Sequence, residues 1–202
     1  MTDKHRSPQG RPPVTSAAQI ASVALELFAR QGYDATTLAD VAGQVGVGRS
    51  TLFRYFESKS AIVWHGRLEA EQALLAELGH AEPGPAWRPQ VARCLMAALR
   101  FPGDDTHALR LRLRLIDSTP SLRTHLHTTA EPAVAAIADV IARSTDRPAG
   151  DLEPVVLART LWWATIEALI WWAVAGTGTP EASVGRALVA LGFDPTESAR
   201  TL

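Results

Sequence analysis

Apolar residues recur at three- and four-residue spacing along nearly the whole chain, and glycine or proline interrupts each run. The first run, which includes Ile20, Leu27 and Phe28, ends at Gly32. This spacing places apolar side chains on one face of an α-helix, and glycine is common where helices end. Later runs indicate helices at about residues 86–101, 104–116, 119–144, 151–175 and 180–191. The pattern predicts an all-α protein.

One segment has a different pattern, because leucine and arginine alternate from residue 109 to residue 115. Alternation with a period of two is typical of a half-buried strand. A single strand would have nothing to pair with in an otherwise helical chain. We therefore predict that this segment is helical as well.

Two short helical segments follow the first helix and are separated by a tight turn at Gly46. Thr37 and Asp40 have the spacing of a capping box at the start of the second helix, and Gly48 or a neighbour opens the third. This order predicts a helix-turn-helix, whose last helix enters the major groove of DNA. A solvated helix face is the alternative interpretation. Side chains that suit base edges or phosphates lie there: Arg49, Ser50, Thr51, Arg54 and Tyr55.

Charge is distributed unevenly along the chain. The net charge is −1, which excludes a protein that binds polyanions over its whole surface, but residues 1–60 hold seven Lys or Arg and five acidic residues. We expect Ser58 to cap a long fourth helix that continues to His80. Lys59 lies in its first turn, where the ammonium group and the helix amides could meet a DNA strand.

Four stretches share one register of glycine, aromatic and capping residues: FARQGYDATT at 28–37, VA at 41–42, GVG at 46–48 and TLFRYFESK at 51–59. On these residues the segment from about 16 to 65 resembles the TetR family of transcriptional repressors. The resemblance implies an all-helical homodimer with an N-terminal DNA-binding domain and a C-terminal domain that holds a small-molecule pocket. Positions that contact DNA in the family correspond here to Thr37, Gly48, Arg49, Ser50, Thr51, Phe53, Arg54, Tyr55 and Lys59.

Two positions depart from the pattern of that family. Ser50 stands where glycine is frequent, and Arg54 stands where histidine or tyrosine is frequent, so the base preference of a relative does not transfer. Phe53 suits either core packing or a contact at the groove edge. We divide the chain into a basic arm at 1–13, a helix-turn-helix domain at 14–60, and a ligand-binding and dimerisation domain at 61–202. The arm is either a solubilising tail or an element that lies in the minor groove.

The helix expected over 151–175 is apolar on nearly every side, so it must be buried on more than one side. Within the family, one side would line the pocket and the other would pack against a two-fold copy of the chain. The tryptophans of this helix could also serve only as core. The predicted dimer interface comprises Trp171, Trp172, Val184, Ala187, Leu188 and Leu191.

Glu167 lies within this apolar helix, where an ionised carboxylate needs a partner or an opening to a cavity. Either it anchors a ligand or it forms a salt bridge with Arg110, Arg112 or Arg114. Residues 110–122 also resemble a subgroup of the family, including mycofactocin-system regulators, whose ligands are acyl-coenzyme A thioesters. That resemblance implies an arginine at the ligand's phosphates, although a solvated basic helix face is the alternative. The predicted ligand-binding residues are Trp87, Leu95, Leu99, Arg110, Arg114, Trp163 and Glu167.

Enzymatic and membrane functions fit the sequence poorly. His125 and His127 are two residues apart and would point in different directions on a helix, and Cys94 lies among apolar neighbours. The apolar run at 161–175 is too short for a membrane span and contains a carboxylate, and the polar N-terminus lacks a signal peptide. A single cysteine fits the reducing cytosol.

We therefore predict a cytoplasmic, non-enzymatic homodimer that needs no cofactor or metal. It would bind a near-palindromic DNA operator and be released by a small, largely apolar effector. An acyl-CoA-like molecule is one candidate for that effector. The alternatives are a corepressor-type or activating regulator, and a helical ligand-binding or scaffold protein without sequence-specific DNA binding.

Overall fold

A computed structural model describes residues 16–97 and 105–197, and all the regular secondary structure in these ranges is α-helical. This confirms the predicted fold class, and the leucine–arginine alternation lies within one helix. The helices are α1 (Ala17–Gln31), α2 (Leu38–Val45), α3 (Arg49–Tyr55), α4 (Lys59–Val63), α5 (Arg67–Gly79), α6 (Trp87–Ala97), α7 (Thr106–Ser118), α8 (Pro120–Thr128), α9 (Glu131–Thr145), α10 (Leu152–Ala175) and α11 (Pro180–Ala190).

Capping residues determine where the first helices begin and end. Thr37 and Asp40 form the predicted capping box at the start of α2, with the Asp40 amide donating to the Thr37 hydroxyl at 3.2 Å. Gly46 ends α2 with a φ of 80°, in the left-handed region that favours glycine. The Ser58 hydroxyl accepts a hydrogen bond from the Ala61 amide at 3.0 Å and begins α4 as predicted.

Two helices that were expected to be continuous are broken. The expected helix from Ser58 to His80 is interrupted between α4 and α5, where Gly66 has a φ of 82°. The expected helix over 119–144 is interrupted between α8 and α9, and Pro132 occupies the first turn of α9. Proline is tolerated in a first turn but not inside a helix, because it lacks the amide hydrogen. Both predictions of continuity were wrong.

Two clusters of buried apolar side chains hold these helices together. The first includes Ile20, Phe28 and Leu52 from the N-terminal helices, and it also contains Ile62 of α4 and Ile116 of α7. The second lies among α5, α6, α7, α9, α10 and α11. Because α7 contributes to both clusters, it connects the N-terminal helices to the C-terminal ones.

Helix α10 is the longest described helix, and its burial is uneven. Trp172 and Ala173 are inaccessible to solvent, whereas Val156, Trp171 and Val174 are each about half exposed. No helix in the ranges 16–97 and 105–197 is long and apolar enough to cross a membrane. The predicted arm at 1–13 lies outside the described residues.

Candidate DNA-binding surface and effector cavity

Helix α3 presents most of its side chains to solvent. Only Leu52 is buried against the first cluster, and Thr51 is half-buried. Phe53 is 43% exposed, and the Arg49 guanidinium lies 5.5 Å from the centroid of its ring, so Phe53 belongs to the surface rather than the core. The side chains on this face that suit DNA are Arg49, Ser50, Arg54 and Tyr55, all exposed.

The starts of α2 and α3 flank this face. Gly48 is the exposed N-cap of α3 and makes no side-chain cap. Thr37 is exposed, but its hydroxyl already donates to the Asp40 carboxylate at 2.7 Å. The side-chain and backbone hydrogen bonds from Thr37 lower the pKa of Asp40 below its usual value. A phosphate contact by Thr37 would therefore have to compete with the capping box.

Lys59 has an internal role that its place in the sequence did not reveal. Its ammonium donates to the backbone carbonyls of Tyr33 at 2.6 Å and Asp34 at 3.4 Å, and lies 4.6 Å from the centroid of the Tyr33 ring. Lys59 therefore ties the start of α4 to the loop between α1 and α2.

A cavity of about 100 Å³ lies where the corner between α4 and α5 meets α6, α8, α9 and α10. Its wall is mainly apolar. Residues that contribute to it include Trp64, Leu74, Leu95, Ala133, Trp162 and Leu169. A mainly apolar cavity of this kind is suited to a small molecule with little charge.

The polar side chains of the wall are largely satisfied within the protein. Arg67 pairs with Glu71 at 2.6 Å, one helical turn apart. The hydroxyl of Thr129 donates to the His125 carbonyl at 2.9 Å, and that of Thr165 donates to the Leu161 carbonyl at 2.8 Å. The cavity therefore presents an internally neutralised ion pair rather than a net charge.

The predicted ligand-binding residues are not gathered around this cavity. Leu95 lines it. Trp87 packs against Phe193, with ring centroids 5.5 Å apart, and Trp163 stacks on His127 at 4.2 Å. The neighbouring Trp162 lines the cavity in place of Trp163, because the direction of each indole on an all-apolar helix depends on tertiary packing. Leu99 lies outside the described residues.

The arginines of α7 contact backbone carbonyls and not the cavity. Arg110 donates to the carbonyls of Trp172 at 3.2 Å and Gly176 at 3.3 Å, and Arg114 donates to that of Ala173 at 2.6 Å. These carbonyls lie at the C-terminal end of α10, where the helix carries negative partial charge, and that of Trp172 also accepts from the Gly176 amide at 3.1 Å. Arg112 is fully buried and donates to the carbonyl of Val63, the last residue of α4.

The ion pair of Glu167 differs from the one expected. Its carboxylate meets Arg123 of α8 at 3.0 Å, a residue that was not among the expected partners. Arg123 also pairs with Asp117. The Glu167 side chain is 57% exposed, so the helix places this charge at the surface rather than in the apolar interior.

Half of the predicted dimer interface lies inside the protomer. Trp172, Val184 and Leu188 are inaccessible to solvent, and the Trp172 indole donates to the Gly178 carbonyl at 3.0 Å. The prediction for these three residues is corrected, because their surface is already covered by the chain's own core. Ala187 is half-buried. Large apolar side chains that are exposed on α10, on α11 or just after α11 include Trp171, Val174, Val189 and Leu191.

No catalytic or metal chemistry emerges from the remaining candidates. Burial raises the pKa of the Cys94 thiol, which keeps it protonated and unreactive. Among the described residues, no group of three or more His, Cys, Asp or Glu side chains could hold a metal ion.

Comparison with known proteins places this architecture among bacterial regulators. The family model described as "Bacterial regulatory proteins, tetR family" matches residues 20–64, and the model of the "MftR C-terminal domain" matches residues 87–191. A Mycobacterium tuberculosis protein named as the mycofactocin biosynthesis transcriptional regulator MftR is 31% identical over 168 residues. The match covers 83% of this chain and 85% of that protein.

Solved structures show the same fold at lower identity. The complex of triclosan with SmeT, the repressor of a Stenotrophomonas maltophilia multidrug efflux pump, has a TM-score of 0.67 at 17% identity, covering 93% of this chain and 99% of that one. FadR of Bacillus subtilis, solved with stearoyl-CoA, has a TM-score of 0.63 at 20% identity, covering 90% and 100%.

Proposed function

The chain belongs to the tetR family of bacterial regulatory proteins, and on that premise we propose that it is a homodimeric repressor whose operator affinity is lowered by a small, largely apolar effector. It is a transcriptional regulator and not an enzyme. The observation that carries the proposal is that one short helix, α4, lies between the DNA-facing helices and the cavity: Lys59 begins it, and Trp64, which follows its last residue, lines the cavity wall.

The DNA-binding part of the proposal rests on the exposed face of α3. Arg49 and Arg54 can donate two hydrogen bonds to a guanine edge or bind phosphates, and Ser50 can donate or accept. Thr37, Gly48, Thr51, Phe53 and Tyr55 surround them as further contact positions, while Lys59 would act by holding the loop between α1 and α2. Two copies of α3 would occupy successive major grooves about 34 Å apart.

The dimer part rests on exposed apolar surface. Trp171 and Val174 of α10, Val189 of α11 and Leu191, which follows α11, are all at least 42% exposed. Contiguous apolar surface is typical of a protein interface. We expect Trp171→Glu to lower the dimer fraction in sedimentation velocity, whereas Leu152→Glu, at the far end of α10 and 78% exposed, should not.

The effector part rests on the size and chemistry of the cavity. A cavity of about 100 Å³ is smaller than the ~150 Å³ space that accommodates benzene in an engineered protein, so a larger effector must displace part of the wall. The similarity to FadR of Bacillus subtilis, which was solved with stearoyl-CoA, motivates an acyl chain as one candidate. The phosphate site proposed for Arg110 and Arg114 loses support, because both donate to carbonyls of α10 and of the turn after it.

The proposal is tested by selecting binding sites from a randomised DNA duplex library with the purified full-length protein. A recovered palindrome would support the repressor mechanism and would define the half-site spacing. We expect Arg49→Ala or Arg54→Ala to cost about 1–3 kcal/mol of operator affinity where the side chain reads a base. Arg147→Ala, which removes an exposed charge remote from α3, serves as the control.

Three results would contradict the proposal. Failure to enrich any sequence with an intact dimer would leave a helical ligand-binding protein or a regulator that needs its ligand to bind DNA. Equal operator affinity for Arg49→Ala, Arg54→Ala and the control would refute α3 as the recognition surface. An effector that tightens operator binding would identify a corepressor system instead.

A further inference from the structure

Two indole N–H groups at the cavity lack a hydrogen-bond acceptor. The Nε1 atoms of Trp64 and Trp162 are shielded from solvent, and neither has a partner within the described part of the chain. Both tryptophans line the same cavity. A buried donor without an acceptor is uncommon, because it has lost its hydrogen bonds to water without replacing them.

These donors contrast with the other polar groups of the wall. The hydroxyl hydrogens of Thr129 and Thr165 are donated to backbone carbonyls of their own helices. Arg67 and Glu71 neutralise each other. Within residues 16–97 and 105–197, Ser144 is the other side chain with a shielded and unpartnered polar atom, and it does not line the cavity. The lining groups without a described partner are therefore of one kind, a pair of neutral donors, and their Nε1 atoms are shielded from the empty space, so a ligand reaches them only when the wall shifts.

We propose that the effector inserts an uncharged, mainly apolar portion that carries a hydrogen-bond acceptor, such as a carbonyl or ether oxygen, and that the indole of Trp64 or Trp162 donates to it. This inference rests on the proposed function, because it specifies the chemistry of the effector. An anionic or cationic group is disfavoured, since the wall offers no unpaired charge to compensate its lost hydration. Trp64 immediately follows α4, so a hydrogen bond to its indole acts on the helix that leads to the DNA-binding face.

A pair of probes tests for the acceptor directly. Acetophenone and α-methylstyrene have nearly the same shape, and they differ in that a carbonyl oxygen replaces a methylene group. Each is titrated into the full-length protein with ¹⁵N-labelled indoles, and the six indole signals are assigned from single Trp→Phe variants. We expect acetophenone to move the Nε1–H signal of Trp64 or Trp162 downfield, and α-methylstyrene to leave that proton without a downfield shift.

Affinities give a second, independent readout. The ketone loses more hydration than the alkene on entering the cavity, so the diagnostic quantity is the change in their affinity ratio on mutation. We expect Trp64→Phe or Trp162→Phe to reduce the ketone-to-alkene ratio about threefold to tenfold, the effect of one net hydrogen bond. Trp163→Phe is the matched control, because this neighbouring indole stacks on His127 and does not line the cavity.

The outcomes separate this inference from the proposed function when operator affinity is measured alongside. An unchanged ratio in every variant together with no downfield indole shift overturns the inference, and so does binding of neither probe. Operator release by both compounds equally would support the proposed function and refute the hydrogen bond. A ratio that changes as expected without operator release would support the hydrogen bond and refute the proposed coupling.

Discussion

Filling the cavity from α9 should stabilise the protein and exclude its effector. Ala133 is buried and lies in the cavity wall, so Ala133→Leu directs three additional carbon atoms towards the empty space. The cavity volume of about 100 Å³ is well above what a single water-sized group needs, so the added atoms have room. At about 0.8 kcal/mol per buried methylene, the free energy of unfolding should rise by at most about 2.4 kcal/mol.

The matched control is Ala138→Leu on the same helix. Ala138 is 6% exposed and packs in the second cluster but not in the cavity wall, so the same added volume has no empty space to occupy. Overpacking of this kind lowers stability by about 1–3 kcal/mol. The two substitutions are therefore expected to have opposite signs, although they are chemically identical.

Urea unfolding at one fixed protomer concentration measures both effects, because the stability of a dimer depends on concentration. Acetophenone binding is measured on the same samples and should be lost in Ala133→Leu. The reasoning would be refuted if Ala133→Leu destabilised the protein as much as Ala138→Leu, or if it left probe affinity unchanged.

Three further predictions concern the break after α4, the surface ion pair and acid stability. Gly66→Ala should lower the free energy of unfolding by about 1–2 kcal/mol in the same urea titrations, because the φ of Gly66 is 82°. The control Gly43→Ala lies inside α2, where an added Cβ would have nothing within 4 Å, and should raise the free energy of unfolding by about 0.5–1 kcal/mol. Glu167→Gln should change stability by less than about 1 kcal/mol and leave acetophenone binding intact, and a larger loss would show that the pair with Arg123 is structural. Burial, and then the charge of Arg67, hold the pKa of His125 below its ordinary value of 6.5. The unfolded chain therefore binds the proton first as the pH falls, so the free energy of unfolding should decrease below pH 6.5. The same pH series on His125→Gln should show a smaller decrease.

Features set by neighbouring residues could be predicted from the sequence. The capping box of Thr37 and Asp40, the turn at Gly46 and the exposed face of α3 depend on contacts within a few residues, so their spacing was sufficient. The break at Gly66 had a local signal that was missed, namely a glycine inside an apolar periodic run. The sequence offered no comparable signal for the arginines of α7, whose partners lie 49 to 66 residues away.

The lining of the cavity illustrates the same limit. Trp162 and Trp163 are adjacent on a helix that is apolar on most sides, so no periodicity indicates which indole meets the empty space. The packing of α8 decides this, because His127 stacks on Trp163 and leaves Trp162 at the cavity. The predicted Trp163 was therefore of the right type and on the right helix, but adjacent to the position that lines the space.

The break between α4 and α5 connects these observations to regulation. Because the chain turns at Gly66 and does not continue as a helix, Trp64 lies at the cavity wall with its ring 4.9 Å from that of His125. The α9 and α10 walls belong to the second cluster, whereas Trp64 directly follows a helix of only five residues. An effector larger than the cavity should therefore displace Trp64 more readily than the walls on the long helices. The buried contact between Arg112 and the Val63 carbonyl lies close to Trp64, so we expect it to resist that displacement. Coupling requires the effector to bind the DNA-bound and the released states with different affinities, and this contact should contribute to that difference.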